Sequence, residues 1–359
     1  MPSWEINFDP RINLRDEELL SLCVEIEAHK LSVLKLPVPP GMRKHLNRIN
    51  IVRQLKGTTG IEGNTLSEGE IESLISVTDV QQDQNLEERE VLNAYQVLNF
   101  VSKLQSEGID ILITEELVKD LHRLNTLGCD YADNIPGEYR RTQVVAGNYR
   151  PPEPGEVPGL MKRFVEFINS REVVKGLKPL IRAILAYFYL VSIHPFADGN
   201  GRTSRALEAC VLYHSGYNIY GFYSLANFYY KNRSEYIKQL QDARFRYDGD
   251  LNAFVKFALR GFLSELTLVQ EEILDYIRRV IFTDYLMELQ ENDVINWRIF
   301  AIMQYLLKDR PFIGLEEFKG KRHHVVKGIY ENYKGNKTLL RDLKIMEDHR
   351  LVVVENGKI

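Results

Sequence analysis

The 359 residues predict a mainly α-helical protein. Three observations carry this. Apolar residues recur at helical intervals along most of the chain, beginning with 16–34. The run 180–193 is almost wholly apolar, the pattern of a helix buried on every side. Only two stretches, 137–152 and 351–359, replace that periodicity with β-branched residues and turn signals.

The chain opens on an extended lead, and the first helix spans 16–34. Pro37, Pro39 and Pro40 stop it. A second helical segment, 42–56, carries Arg43, Lys44, Arg48, Arg53 and Lys56, which alone reads as a solvated face. Residues 58–64, Thr-Thr-Gly-Ile-Glu-Gly-Asn, read as a turn with a capping threonine. Helices follow over 66–77 and 86–104, with 81–85 as the loop between them. Thr114 reads as an N-cap, with Glu115 and Glu116 in the favourable first turn, for a helix to Leu124. Residues 137–152 read as a short β-hairpin around Gly147-Asn148, closed by Pro151-Pro152, or else as a surface loop. Helices over 158–169 and 180–193 lead to a polar, glycine-containing loop, and an apolar helix resumes at 206–213 and stops at Gly216. An aromatic-rich stretch, 217–230, precedes helical segments to Arg244 and over 251–263. Residues 267–290 read as a long helix or helical linker. Helical segments at 297–307, 315–327 and 336–348, then a strand and turn over 351–359, look like a winged helix.

Composition excludes some functions. A net charge of −4 and a pI near 6.1 argue against a chain dominated by nucleic-acid binding. Cys23, Cys129 and Cys210 have no metal-ligand spacing and fit a reducing compartment. No apolar run reaches the roughly 18 residues of a membrane span. The opening residues lack a signal-peptide pattern, so no membrane partner and a cytoplasmic location are expected.

The chemistry concentrates in His194-Pro195-Phe196-Ala197-Asp198-Gly199-Asn200-Gly201-Arg202-Thr203-Ser204-Arg205. This loop joins two core helices and opens on the N-terminus of the second. Gly199 and Gly201 let successive N–H groups turn into one concavity, and the helix N-terminus adds partial positive charge. Arg202 and Arg205, three apart, share a helix face and can clamp one phosphate chain. Asp198 is a hard oxygen ligand at the rim, suited to Mg²⁺ bridging phosphates. His194 has the proton affinity of a general base near neutral pH. Taken singly, these are a structural histidine, a turn and a solvated arginine pair. Together within twelve residues they point to base-assisted attack of a hydroxyl on a nucleotide phosphate.

The stretch resembles the signature of Fic-domain proteins, His-Pro-Phe-x-Asp/Glu-Gly-Asn-Gly-Arg-x-x-Arg, with every specified position present. The resemblance implies transfer of AMP from ATP to a Ser, Thr or Tyr hydroxyl of a target protein, which could include the chain itself. His194 would be the base, Asp198 would hold Mg²⁺, and Gly199, Asn200 and Gly201 would bind the α-phosphate. Arg202 would hold the β- and γ-phosphates and Arg205 the γ-phosphate. Gly201 stands where the phosphotransferase branch has Lys, which favours nucleotidyl transfer. Thr58, Glu62 and Gly63 match the family's inhibitory motif Ser/Thr-x-x-x-Glu-Gly/Asn. Glu62 would then pair with Arg205, so that ATP seats unproductively.

The resemblance also makes 137–152 a flap that registers the target by main-chain pairing, with Ala146, Gly147, Asn148 and Tyr149 lining the nucleotide site. Tyr236 and Ile237 stand where the family often has Tyr-Tyr in the adenine pocket. Arg244, two turns later, would face the nucleotide. Alternatively, Tyr230 and Tyr236 are packing aromatics. Tyr187 stands where many members have His. The expected fold is a helical N-terminal region, 1–105, with the inhibitory motif at 58–63, and a Fic helical core with its β-hairpin flap, 106–268. A helical linker, 269–291, and a winged-helix-like domain, 292–359, complete it. That last segment holds 13 Lys and Arg against 9 Asp and Glu, a weak DNA signal, so a target- or self-interaction module, compatible with a homo-oligomer, is favoured over DNA. The expected function is an autoinhibited protein adenylyltransferase. The alternatives are removal of AMP, with Glu62 orienting water, and a DNA-binding regulator whose core senses nucleotide.

Overall fold

A computed structural model describes residues 4–76, 84–104, 111–308 and 312–359. Val77, at the end of the expected helix 66–77, and residues 81–83 of the expected loop lie outside the described residues. The protein is mainly helical, in two compact units, Met1–Gln270 and Glu271–Ile359.

The first unit begins with α1, Glu17–Lys35, capped by the Asp16 carboxylate on Leu19 N–H at 2.9 Å. Pro40 occupies the first turn of α2, Pro40–Gly60, where a missing N–H costs nothing. α2 runs further than the sequence suggests and takes in Thr58 and Thr59. Thr58 is therefore not the cap of a turn; the turn begins at Ile61. The cause is packing. A Cβ on Gly57 would lie 2.5 Å from the backbone of Ala226 and Asn227, in α10, Ala226–Lys231. The absent side chain lets the two helices approach closely. Gly57→Ala, which in an open helix would stabilise by about 1 kcal/mol, is expected here to destabilise by about 1–3 kcal/mol. Denaturant titration reads the sign directly, and stabilisation would contradict the close packing.

Capping boxes start α3, Glu68–Leu74, from Ser67 and Glu70, and α4, Leu86–Lys103, from Asn85 and Glu88. Thr114 caps α5, Glu115–Thr126, as its sequence suggests, accepting from Leu117 N–H at 3.0 Å. After α6, Val157–Ile168, and α7, Arg171–Gly176, come the two central helices, α8, Pro179–Ile193, and α9, Asn200–Leu212. α8 is buried from Leu180 to Ile193. α9 packs on it and is buried at almost every position, arginines included. Gly216, at φ +79°, turns the chain out of α9. α11, Arg233–Gln241, follows α10. The expected helices 251–263 and 267–290 are one, α12, Asn252–Glu291. Leu263-Ser264-Glu265-Leu266-Thr267 contains no Gly or Pro to break it.

The expected β-hairpin over 137–152 is reduced to one antiparallel bridge, Ala146 to Tyr149, around Gly147 at φ +59°. Pro151 and Pro152 have no N–H for a ladder. Side chains tie the arms instead: Gln143 Nε2 donates to Pro151 O at 2.9 Å, and Arg140 donates to Pro152 O.

In the second unit, α13, Trp297–Lys308, and α16, Lys337–Asp348, enclose a core of Ile299, Ile302, Phe318, Tyr330 and Leu339. The expected helix 315–327 is split into α14, Leu315–Lys319, and α15, His324–Tyr330. Lys321 takes φ +53° between them, and its ammonium donates to Tyr333 O and Gly335 O at 2.8 and 2.7 Å. In place of a strand at 351–354, Ile359 exchanges backbone bonds with Ile313 at 2.9 and 3.0 Å.

Candidate active site

α8 ends at His194, whose φ of +52° and ψ of +59° turn the chain sharply out of the helix. Such a conformation is unfavourable for a non-glycine residue and needs support. Arg140, 4% exposed, supplies it. Its Nε donates to His194 O at 2.8 Å, and its backbone N–H donates to Pro195 O at 2.9 Å. The His194 ring is held by Nδ1, 3.2 Å from Val191 O. That contact fixes Nδ1 as the protonated nitrogen and leaves Nε2 as the acceptor. Burial, together with the Arg244 and Arg140 charges, lowers the His194 pKa to about 4, against the opposing pull of Val191 O and Glu62. His194 is therefore neutral at physiological pH.

The loop after it is folded on itself. Asn200 Oδ1 accepts from Phe196 N–H at 2.9 Å, and Asn200 Nδ2 donates to Phe196 O at 2.8 Å. The Phe196 ring stacks on His122 of α5 at 3.7 Å. His122 accepts at Nδ1 from Gly137 N–H at 2.9 Å and faces Asp198 O through Nε2 at 3.0 Å. Burial lowers its pKa to about 4, so it stays neutral and donates from Nε2. Gly199, at φ +72°, starts α9, where a Cβ would lie 2.7 Å from Thr126 Cγ2. α9 has no side-chain cap, and Gly199, Asn200 and Gly201 at its start line the adjoining cavity.

That cavity has a volume of about 470 Å³. Glu62, His194, Asp198, Gly199, Asn200, Gly201 and Arg205 line it. So do Ala146, Gly147, Asn148, Tyr149, Tyr236, Ile237 and Arg244. These are nearly all the residues singled out in the sequence, drawn from five separate parts of the chain. Thr58, Gly63 and Arg202 do not line it. Arg202 is 2% exposed and donates to Glu90 Oε1 at 3.1 Å, Tyr131 Oη at 2.6 Å and Asp198 Oδ1 at 3.3 Å.

Arg205 meets the 58–63 segment directly. Nη2 donates to Glu62 Oε1 at 2.6 Å and to Thr58 O at 2.8 Å, and Nε donates to Thr58 Oγ1 at 3.0 Å. Burial would raise the Glu62 pKa, but the Arg205 charge and hydrogen bond outweigh it and hold the carboxyl ionised. Arg233, at the start of α11, donates to Ile61 O at 3.2 Å. A Cβ on Gly201 would sit 2.2 Å from Glu62 Oε1, so the missing side chain is what lets the carboxylate in.

Sequence reasoning missed His122, Arg140, Arg233, Glu90 and Tyr131. Each acts through contacts with residues far off in the chain, and none stands in a motif.

The donors suit Mg²⁺ only in company with phosphates. Among the described residues no group of three His, Cys, Asp or Glu could hold a metal ion. Asp198 faces the cavity with Oδ1 bonded to Gly199 N–H and Arg202, and Oδ2 has no protein partner among the described residues. One carboxylate plus substrate phosphates is a usual Mg²⁺ arrangement.

Residues 112–212, which run through α5 to the end of α9, match the model of the Fic/DOC family. The chain carries a Fic domain over that region. Proteins named protein adenylyltransferase Fic, from Drosophila sechellia and Drosophila melanogaster, are 36% identical over 202 residues, 56% of this chain. The match spans 38% of the length of each of those relatives. A Fic family protein from Desulfovibrio desulfuricans G20 shares the fold, with a TM-score of 0.58 at 18% identity over 97% of this chain and 92% of that one. Residues 134–508 of Fic-1 from C. elegans give a TM-score of 0.58 at 25% identity over 71% of this chain and 72% of that one. No helix among the described residues is long and apolar enough to cross a membrane.

Proposed function

We propose that this Fic chain transfers AMP from ATP to a hydroxyl side chain of a target protein, and that Glu62 restrains it. The observation that carries the reading is the meeting, in one cavity, of a neutral His194 with a free Nε2, the uncapped N-terminus of α9, and Arg205 already engaged by Glu62. The Drosophila relatives named as adenylyltransferases support it.

The acceptor hydroxyl gives its proton to His194 Nε2 as its oxygen attacks the α-phosphorus. The bond from that phosphorus to the bridging oxygen breaks, and pyrophosphate leaves. The first N–H groups of α9 receive the α-phosphate, where negative charge builds in the transition state. Asp198 would hold Mg²⁺, which supplies positive charge to the phosphates. Arg205 seats the γ-phosphate only when Glu62 releases it, since both want the same guanidinium.

The neutral imidazole fixes the pH dependence. A base with its pKa lowered to about 4 stays unprotonated from pH 8 down to 5.5. With Glu62→Gly, kcat/KM for AMP transfer is expected to stay level across that range and to fall only as pH drops toward 4. A half-loss near pH 6.5, the ordinary histidine value, would contradict the buried base. The reading as a whole is tested by AMP incorporation and pyrophosphate release with ATP and Mg²⁺, and absence of both with Glu62 removed would reject it.

A further inference from the structure

Arg202 is the signature residue that the fold directs away from the cavity. Its guanidinium lies behind the loop, over the Tyr131 ring at 4.9 Å. Tyr131 Oη accepts from Arg202 and donates to Glu90 Oε1, so Glu90, Tyr131 and Arg202 close a three-membered set. Arg202 Nε is buried without a partner, and its other nitrogens are committed to Glu90, Tyr131 and Asp198. Glu90, on α4, is fixed in turn: Asn64 Nδ2 donates to Glu90 Oε2 at 3.0 Å and to Glu87 O at 2.9 Å. A cation that is 2% exposed, with three anchored acceptors, is not free to swing out to a phosphate. Among the described residues, its hydrogen bond to the cavity lining is the one to Asp198 Oδ1.

We infer that Glu90 is a positioning residue for Asp198: with Tyr131 it locks Arg202, and Arg202 holds Asp198 Oδ1 so that Oδ2 is left to the divalent cation that Asp198 would hold. The signature arginine thus acts through the carboxylate. A flexible Asp198, 48% exposed at its side chain, would lose ordering entropy on each binding event, whereas the locked one does not. Asn64 joins this set to the segment that carries Glu62, so the two signature arginines are both held by residues of 58–64 or their direct partners.

The inference rests on the nucleotide and Mg²⁺ reading above, and its test separates the two. Mn²⁺ binding to the full Glu62→Gly chain with the α,β-methylene ATP analogue AMP-CPP, whose α–β bond does not break, is measured by electron paramagnetic resonance, with and without Glu90→Gln or Tyr131→Phe. Outer-shell partners of a metal ligand typically contribute about 10- to 100-fold in affinity. Glu90→Gln is expected to weaken Mn²⁺ binding at least about tenfold, and Tyr131→Phe, which removes one hydroxyl and leaves the ion pair, to weaken it less. AMP-CPP affinity without metal should change little in either, a split that a general loss of folding would not give. Equal Mn²⁺ affinity in parent and both variants overturns the inference and leaves the reading of the site intact. Tighter nucleotide binding in Glu90→Gln would also overturn it, by making Glu90 a competitor for Arg202. A parent that binds neither Mn²⁺ nor AMP-CPP overturns both.

Discussion

His194→Ala is expected to lower AMP transfer about 10²- to 10⁴-fold in the Glu62→Gly chain, the range for a positioned general base. The size follows from the geometry. Nδ1 is committed to Val191 O, so the ring offers one basic atom, Nε2, and His194 lines the cavity. Among the described residues no other histidine lines that cavity, and the two carboxylates that do, Glu62 and Asp198, are bonded to arginines. With the imidazole gone, the acceptor hydroxyl must lose its proton to water. The loss should appear in kcat. The KM for ATP should change less than about threefold, because in the proposed reaction the imidazole meets the acceptor and the nucleotide meets α9. The α8 turn survives the substitution, since Arg140 holds the His194 carbonyl and not its ring. A folded His194→Ala chain that keeps a tenth of its transfer would contradict the role.

Glu62→Gly is expected to raise transfer about 10- to 100-fold, the usual size of coupling between an internal regulator and a site. Glu62 occupies Nη2 of Arg205 with a charge-assisted bond, and the carboxylate stands 2.6 Å from that nitrogen. Without it, Arg205 retains Thr58 Oγ1 and O and keeps its place on α9. What it loses is the carboxylate paired with it, and a buried cation left unpaired is destabilising. Glu62→Gly should therefore melt at a lower temperature than wild type when free. ATP with Mg²⁺ should raise its Tm by more than it raises the wild type's, because phosphate now supplies the missing charge. Equal transfer and equal response to ATP in the two chains would show that the pair does not restrain the enzyme.

Much of the site was legible because its chemistry is local. The residues from His194 to Arg205 are contiguous, and their order already implies a helix end, a glycine nest and a second helix start. Glu62 was legible through a short motif whose geometry, a carboxylate on Arg205, appears in the structure. The roles of the flanking side chains were less so. Arg202 reads in sequence as a phosphate clamp three residues from Arg205. Its side chain instead turns to Glu90, because α4 brings a carboxylate behind the loop. Nothing within 100 residues of Arg202 announces that partner.

The helices were legible where caps and prolines mark them, as at Thr114 and Pro40. They were misread where tertiary contact extends or breaks an element. α2 continues through Thr58 because Gly57 packs against α10, and α12 absorbs two expected helices for want of a breaker. The flap shows the limit for β structure. Val144, Val145 and the Gly-Asn pair suggest a hairpin, but paired prolines and the Arg140 side chain replace the ladder with one bridge.

The most direct test of the central claim is intact-mass spectrometry of three full-length chains after incubation with ATP and Mg²⁺: wild type, Glu62→Gly and Glu62→Gly/His194→Ala. An added AMP is expected on Glu62→Gly, together with pyrophosphate release, and neither on the other two. An adduct of equal yield on wild type, or one that persists without His194, would contradict it.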